Sequence, residues 1–194
     1  MQLNLRLQVE QWRIHEFMEH VSHDQRLASA FGLLLDHWLS IRPDSRTVPS
    51  RQALSPASLK AVLPHLMLIE YRPEAEEFRF RLIGTGIVEW TGQDNTGRSQ
   101  REVGYDDAIL PLVENRYHLA RERGLPVYSE GRVKMANGRM RDYWRLVAPL
   151  SDAGGEVDLF AVIVLLSPDT VDRFGNVQWP PSDYEETRCA LIEE

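Results

Sequence analysis

The chain of 194 residues has a single cysteine, Cys189. It therefore forms no internal disulfide and supplies no multi-cysteine metal cluster, and a reducing compartment suits it. Long apolar runs are missing too: the longest, Leu159 to Leu166, is the length of a buried strand and far short of a membrane span. Met1 to Trp12 mixes polar and charged residues with leucine and has no apolar centre of a secretory leader, so a cytoplasmic location without membrane contact is expected. Basic charge is scarce, with 22 Lys and Arg against 29 Asp and Glu and a net charge of −7. That argues against a nucleic-acid partner, which needs a concentrated basic face. Arginines at 79, 81, 98, 101, 139 and 141 are read as the wet side of a half-buried sheet. Gly84-x-Gly86 has Glu89 where a dinucleotide fingerprint needs its third glycine. No internal repeat or low-complexity tract stands out.

What is present is globular: 43% hydrophobic and 26% charged residues, enough for one core with extensions. Residues 1–23 read as an irregular arm. Ser22 and Gln25 have the spacing of a capping box, and Leu27, Phe31, Leu34, Leu35 and Trp38 then recur at helical spacing, which predicts a helix from Asp24 to Ser40 ended by Pro43. Ser55-Pro56 is a second helix start, with Leu59, Val62 and Leu63 on one side and Pro64 at its end. Leu66 to Tyr71 is a strand. Phe78, Phe80 and Leu82, alternating with Arg79, Arg81 and Ile83, form another with one covered face. A short helix at Ile87 to Thr91 follows Gly84-Thr85-Gly86. A longer helix begins at Asp106 or Asp107, carries Ile109, Val113, Tyr117 and Ala120 on one side, and stops at Gly124.

Three strands close the core: Leu125 to Met135, Met140 to Leu150 and Glu156 to Leu166. The turns Ala136-Asn137-Gly138-Arg139 and Asp152-Ala153-Gly154-Gly155 join them, Asn-Gly supplying the positive φ angles of a tight hairpin. The remainder, 168–194, reads as a tail with a short acidic helix. The order predicts an α+β fold: residues 1–64 a helical extension, 65–167 the core and 168–194 the tail.

This order resembles the PAS fold, a five-stranded antiparallel sheet with helices over one face, here with an N-terminal helical extension. Local wording agrees. Arg81 to Gly86 leading to Trp90-Thr91-Gly92, then Asn95-Thr96-Gly97-Arg98-Ser99, is similar to the PAS passage from the second strand through the small helices. Pro149-Leu150-Ser151-Asp152-Ala153-Gly154 is similar to the end of the penultimate strand in stand-alone bacterial PAS proteins. Arg42-Pro43, Pro56-Ala57-Ser58-Leu59 and Leu63-Pro64-His65-Leu66 are similar to that group's N-terminal elements. The resemblance spans about residues 25 to 167 and implies signalling, with a cavity between sheet and helices for a small molecule and flanking helices that transmit or dimerise.

Within such a cavity Trp90, Tyr117, Tyr128 and Trp144 offer stacking faces, although aromatics also simply fill cores, and Arg98 and Arg145 would neutralise an acidic ligand if buried. Tyr143 and Trp144 face opposite sides of a regular strand, so one of them points inward. Site candidates are therefore Trp90, Arg98, Tyr117, Tyr128 and Trp144. The cofactor stays unknown. Asp94 to Arg101 has no cysteine for flavin adduct chemistry, and His118, the place on the long helix where haem-binding relatives carry a ligand, is rotated about 100° from Tyr117. His20 and His23 share a helical face, but a metal there is less expected than a solvated arm. No nucleophile or carboxylate pair has a catalytic setting: Asp106-Asp107 fits a cap and Asp152 a turn. The expected function is a non-enzymatic sensory module that binds a small-molecule signal or a separate signalling protein. The alternative is a pure protein-interaction adaptor with a side-chain-filled core. The stripe Leu27, Phe31, Leu34 and Trp38 suggests homodimerisation through the N-terminal helix.

Overall fold

A computed structural model describes residues 8–134, 140–153, 155–167 and 183–194, and leaves out the side chain of Trp90. Among these residues the architecture is α+β, with a seven-stranded sheet in the order β1-β7-β4-β5-β6-β2-β3. The strands are β1 (Glu10–Arg13), β2 (Leu66–Arg72), β3 (Glu77–Ile83), β4 (Val127–Lys134), β5 (Met140–Ser151), β6 (Val157–Leu166) and β7 (Asp183–Glu193). All pairs are antiparallel except β1 with β7. The three consecutive strands β4, β5 and β6 pair as neighbours, as the meander expected from sequence requires; the Asn137-Gly138 turn between the first two lies outside the described residues.

Five strands, β2 to β6, match the expected sheet, and β1 and β7 enlarge it to seven. Where an acidic helix was expected in the tail, residues 183–193 are strand. Cys189, Ala190, Leu191 and Ile192 are all buried, because both sides of β7 are covered and a continuous apolar run suits such a strand. The arm likewise contains β1, which pairs with β7, and α1 (Ile14–Val21), whose Phe17 and Val21 are fully buried.

Helices cover both faces, not one. Under α2 (Gln25–Ser40), the residues Leu27, Phe31, Leu34, Leu35 and Trp38 meet Leu146, Ala148, Leu150, Ala161 and Ile163 of β5 and β6. The Trp38 indole N–H donates to the Pro149 carbonyl at 2.7 Å. The stripe from which a helix-mediated dimer was inferred is thus buried inside the chain and offers no surface to a second copy. The cap of α2 is Asp24, which accepts from the Arg26 backbone at 2.8 Å; Ser22 instead closes α1 by donating to the Glu19 carbonyl. Residues 56–62 form turns followed by a 3-10 turn at Leu63–His65, not a helix, although Leu59 and Val62 still bury as expected.

The other face carries α3 (Thr85–Thr91), α4 (Gln100–Val103) and α5 (Leu110–Arg123), the last ended by Gly124 at φ 63° as expected. In β3 the alternation holds only through Phe80. Arg81 is an extra residue in the pairing with β2, which turns Leu82 outward to 42% exposure and brings Ile83 against the core.

Candidate functional site

The interior between the sheet and α5 is where the chain places its most unusual side chains. Period two in β5 turns Tyr143, Arg145 and Val147 toward α5 and turns Trp144 and Leu146 toward α2. In β4 the same alternation sends Ser129 inward beneath α5 and Tyr128 to the back. Strand β7 needs a bulge to contribute. Gly131 pairs with Glu186 and Glu130 with Arg188, so Thr187 is the extra residue, and Tyr184 and Glu186 can share a face with Cys189 and Leu191. Gly131 permits this approach, since a Cβ there would stand 2.1 Å from the Glu185 carbonyl oxygen. The short α4 adds Gln100. A reciprocal cap fixes it, with Ser99 accepting from the Glu102 N–H at 3.2 Å and Glu102 accepting from the Ser99 N–H at 2.6 Å.

These residues form one buried polar cluster. Arg116 of α5 donates to both carboxylate oxygens of Glu186, its Nε at 2.9 Å from Oε1. Tyr143 donates to the Tyr184 hydroxyl at 2.5 Å, and Tyr184 donates in turn to Glu186 at 3.3 Å. Arg145 donates to Ser129 Oγ at 3.1 Å, the Val113 carbonyl at 3.4 Å and the Tyr184 hydroxyl at 3.2 Å, and its guanidinium lies 5.8 Å from the Tyr117 ring centre. Glu186 is 3.8 Å from Arg145, beyond a normal hydrogen bond. Arg145 is 4% exposed and Glu186 5%.

Burial pushes the Tyr117 and Tyr143 hydroxyls up from their ordinary value and so keeps them neutral, raises the Cys189 thiol, and pulls the Arg116 guanidinium down. One carboxylate therefore stands against two guanidiniums. Beside them is a cavity of about 40 Å³ lined by Met67, Phe80, Gln100, Tyr105, Val113, Tyr117, Val133, Tyr143, Arg145, Val164, Leu166 and Tyr184. A smaller one of about 20 Å³ adjoins it through Met67, Phe80 and Val164. Gln100, 1% exposed, donates weakly to Tyr117 at 3.5 Å, and its Oε1 has no hydrogen-bond partner among the described residues. Turning the amide over merely changes which of its polar atoms is left.

A family model described as PAS domain matches residues 13–164. The chain belongs to the PAS domain family. A comparison with curated proteins found no match. Solved structures that resemble this PAS chain include a light-oxygen-voltage domain studied with a flavin analogue, at 16% identity, TM-score 0.43, covering 58% of this chain and 86% of the other. A Rhodobacter sphaeroides LOV protein is 18% identical, with TM-score 0.39 and 58% and 67% coverage. An RNA-binding light-oxygen-voltage receptor is 13% identical, with TM-score 0.39 and 77% and 51% coverage. The residues matched to the PAS family end before β7, so Tyr184 and Glu186 reach the PAS interior from outside the matched region.

Of the site residues expected from sequence, Tyr117 lines this cavity. Tyr128 and Trp144 lie on the opposite face under α1 and α2, because their neighbours Ser129, Tyr143 and Arg145 take the inward positions. Arg98 is exposed and donates to Asn95 at 3.0 Å and to the Glu102 carbonyl, holding the loop around α4. Trp90 sits in α3, its side chain outside the description. Sequence reasoning missed Gln100, Tyr184 and Glu186, and chose Trp144 over Tyr143. Arg145, which exposure statistics place at the surface, is buried.

His118 packs edge-on against Phe78, ring centres 4.9 Å apart, and does not line the cavity. With about 40 Å³ available, against roughly 300–1,000 Å³ in sites for drug-sized ligands, this packing does not fit haem or flavin. His20 is on the back face, 2.9 Å from Glu130 Oε2, while His23 Nδ1 lies 2.7 Å from the His20 carbonyl. No group of three His, Cys, Asp or Glu side chains is placed to hold a metal among the described residues. No helix among them is long and apolar enough to cross a membrane.

Proposed function

We propose that this PAS domain is a sensory module that takes a small polar molecule into the cavity between β5, β7, α4 and α5, acts without chemistry of its own, and reports to a separate signalling protein. The supporting observation is Gln100: a fully buried amide aimed into a cavity with a polar atom unmatched. Such a group costs about 1–3 kcal/mol of stability, a cost that a ligand hydrogen bond removes. A ligand shifts signalling only by binding two packing arrangements unequally, and the α5–sheet interface is where those arrangements would differ.

The test is native mass spectrometry of gently purified full chain, followed by a thermal-shift screen of small metabolites. A retained mass or a saturable rise in Tm that both Val164→Phe and Met67→Phe abolish supports the reading, because both residues line the two cavities, and Met67, unlike Val164, is not part of the larger groove of about 470 Å³ beside α2. No binding under either condition rejects it. A second reading, a protein-interaction adaptor with a filled core, draws on the small cavity volume. It is favoured if Val164→Phe leaves partner binding and its regulation unchanged.

A further inference from the structure

The charge balance around the cavity narrows its ligand, an inference that rests on the reading just proposed. Arg116 and Arg145 are both buried, and the carboxylate near them, Glu186, is held by Arg116 through two hydrogen bonds. Arg145 donates to a hydroxyl, a carbonyl and a phenol, all neutral, and its charge partner, Glu186 at 3.8 Å, is one it shares with Arg116, which takes the hydrogen bonds. An anion at hydrogen-bond distance from Arg145 would give the second guanidinium a counter-ion of its own. Arg145 lines the cavity into which Gln100 also points, and the remaining wall includes Met67, Phe80 and Val164. A guanidinium fork, an amide and an apolar wall match a planar anion with a short hydrocarbon end.

We infer that the cavity binds a short-chain monocarboxylate of formate-to-propionate size, its carboxylate on Arg145 and within reach of Gln100. A single negative charge balances the excess of one guanidinium over the carboxylate. A phosphate dianion overshoots that balance, and a neutral molecule leaves Arg145 as it was. The volume of about 40 Å³ holds only a few non-hydrogen atoms.

The experiment is a titration of the full chain by scanning fluorimetry and calorimetry in chloride-free buffer at fixed ionic strength. Sodium formate, acetate and propionate are compared with acetamide, chloride and phosphate. A saturable rise in Tm with one-site binding is expected for at least one carboxylate and not for acetamide. Arg145→Met lowers that affinity at least tenfold while circular dichroism shows the fold retained, since Glu186 keeps Arg116. Should Arg145→Met fail to fold, Gln100→Leu serves: it weakens carboxylate binding several-fold and leaves Tm without ligand equal or higher. Acetamide, chloride or phosphate matching the carboxylates overturns the inference, as does an absent carboxylate response or an unaltered response in both variants. If carboxylates fail but a neutral metabolite binds in a manner sensitive to both Val164→Phe and Met67→Phe, this inference falls and the sensory reading stands. If nothing binds, both fall.

Discussion

Beneath α1 and α2, Leu27, Phe31, Leu34 and Leu35 interdigitate with Leu146, Ala148, Ala161 and Ile163. Beneath α5, the other face of the sheet presents Arg145 and Tyr143 from β5, Ser129 from β4 and Glu186 from β7. The polar groups of the first face collect at its margin, where Glu130 meets His20, Tyr128 and Arg188. Those of the second lie at its centre, beside space that no side chain fills. One sheet thus has a packed side that fastens the N-terminal helices and an incompletely satisfied side whose chemistry is costly to keep. Proteins commonly carry such inconsistency at functional sites.

The contrast is broken most severely at Glu186. Glu186→Leu leaves two buried guanidiniums facing each other and should destabilise the fold by about 3–5 kcal/mol in urea unfolding. Arg145→Met in the same measurement should cost less, about 1–3 kcal/mol for the buried acceptors it deserts, because Arg116 keeps Glu186. Equal losses would show that the shared ion pair with Arg145 matters as much as the one with Arg116. On the packed face Leu34→Ala should cost about 2–5 kcal/mol, the transfer and cavity terms of a closed core, with ligand response unchanged. A response lost with L34A would mean the two faces are not separable. Gly131→Ala should cost about 1–3 kcal/mol by overpacking against the Glu185 carbonyl, and should perturb the Tyr184 and Glu186 resonances in NMR spectra more than those of α2.

The smallest effect is with pH. Burial holds His37, His65 and His118 below the ordinary 6.5, and His37 Nε2 accepts the Ser55 N–H at 3.1 Å, which requires the unprotonated ring nitrogen. The unfolded chain takes up protons below that value while the folded chain resists. This stability is therefore complete above about 6.5 and is lost as pH falls through the depressed folded values. Tm measured against pH should decline over that window, and His37→Gln, whose carbonyl can still accept from Ser55, should shrink the decline.

The meander was legible in sequence because turn residues and period two agree in β4, β5 and β6, and α2 because its apolar spacing is regular. β7 was not, because the extra residue Thr187 breaks the alternation: Tyr184 and Glu186 give way to Cys189 and Leu191 on the same face. With both sides covered, Cys189 to Ile192 reads as an apolar run that periodicity alone does not assign to a strand. The site suffered for the same reason. Parity shows that Tyr143 and Trp144 face opposite ways but not which is inward, and that is set by α2 packing on Leu146. The sequence pattern Tyr184-x-Glu186, followed by Cys189-x-Leu191, was the available trace of the strand.

Ser129 bonds Arg145 on one side of the sheet, and the next residue, Glu130, bonds His20 of α1 on the other. A single peptide unit is therefore the shared wall of two rooms. Turning it by a few degrees moves an oxygen in each, so the central chamber and the first helix are mechanically one bond apart, with no relay of side chains between them.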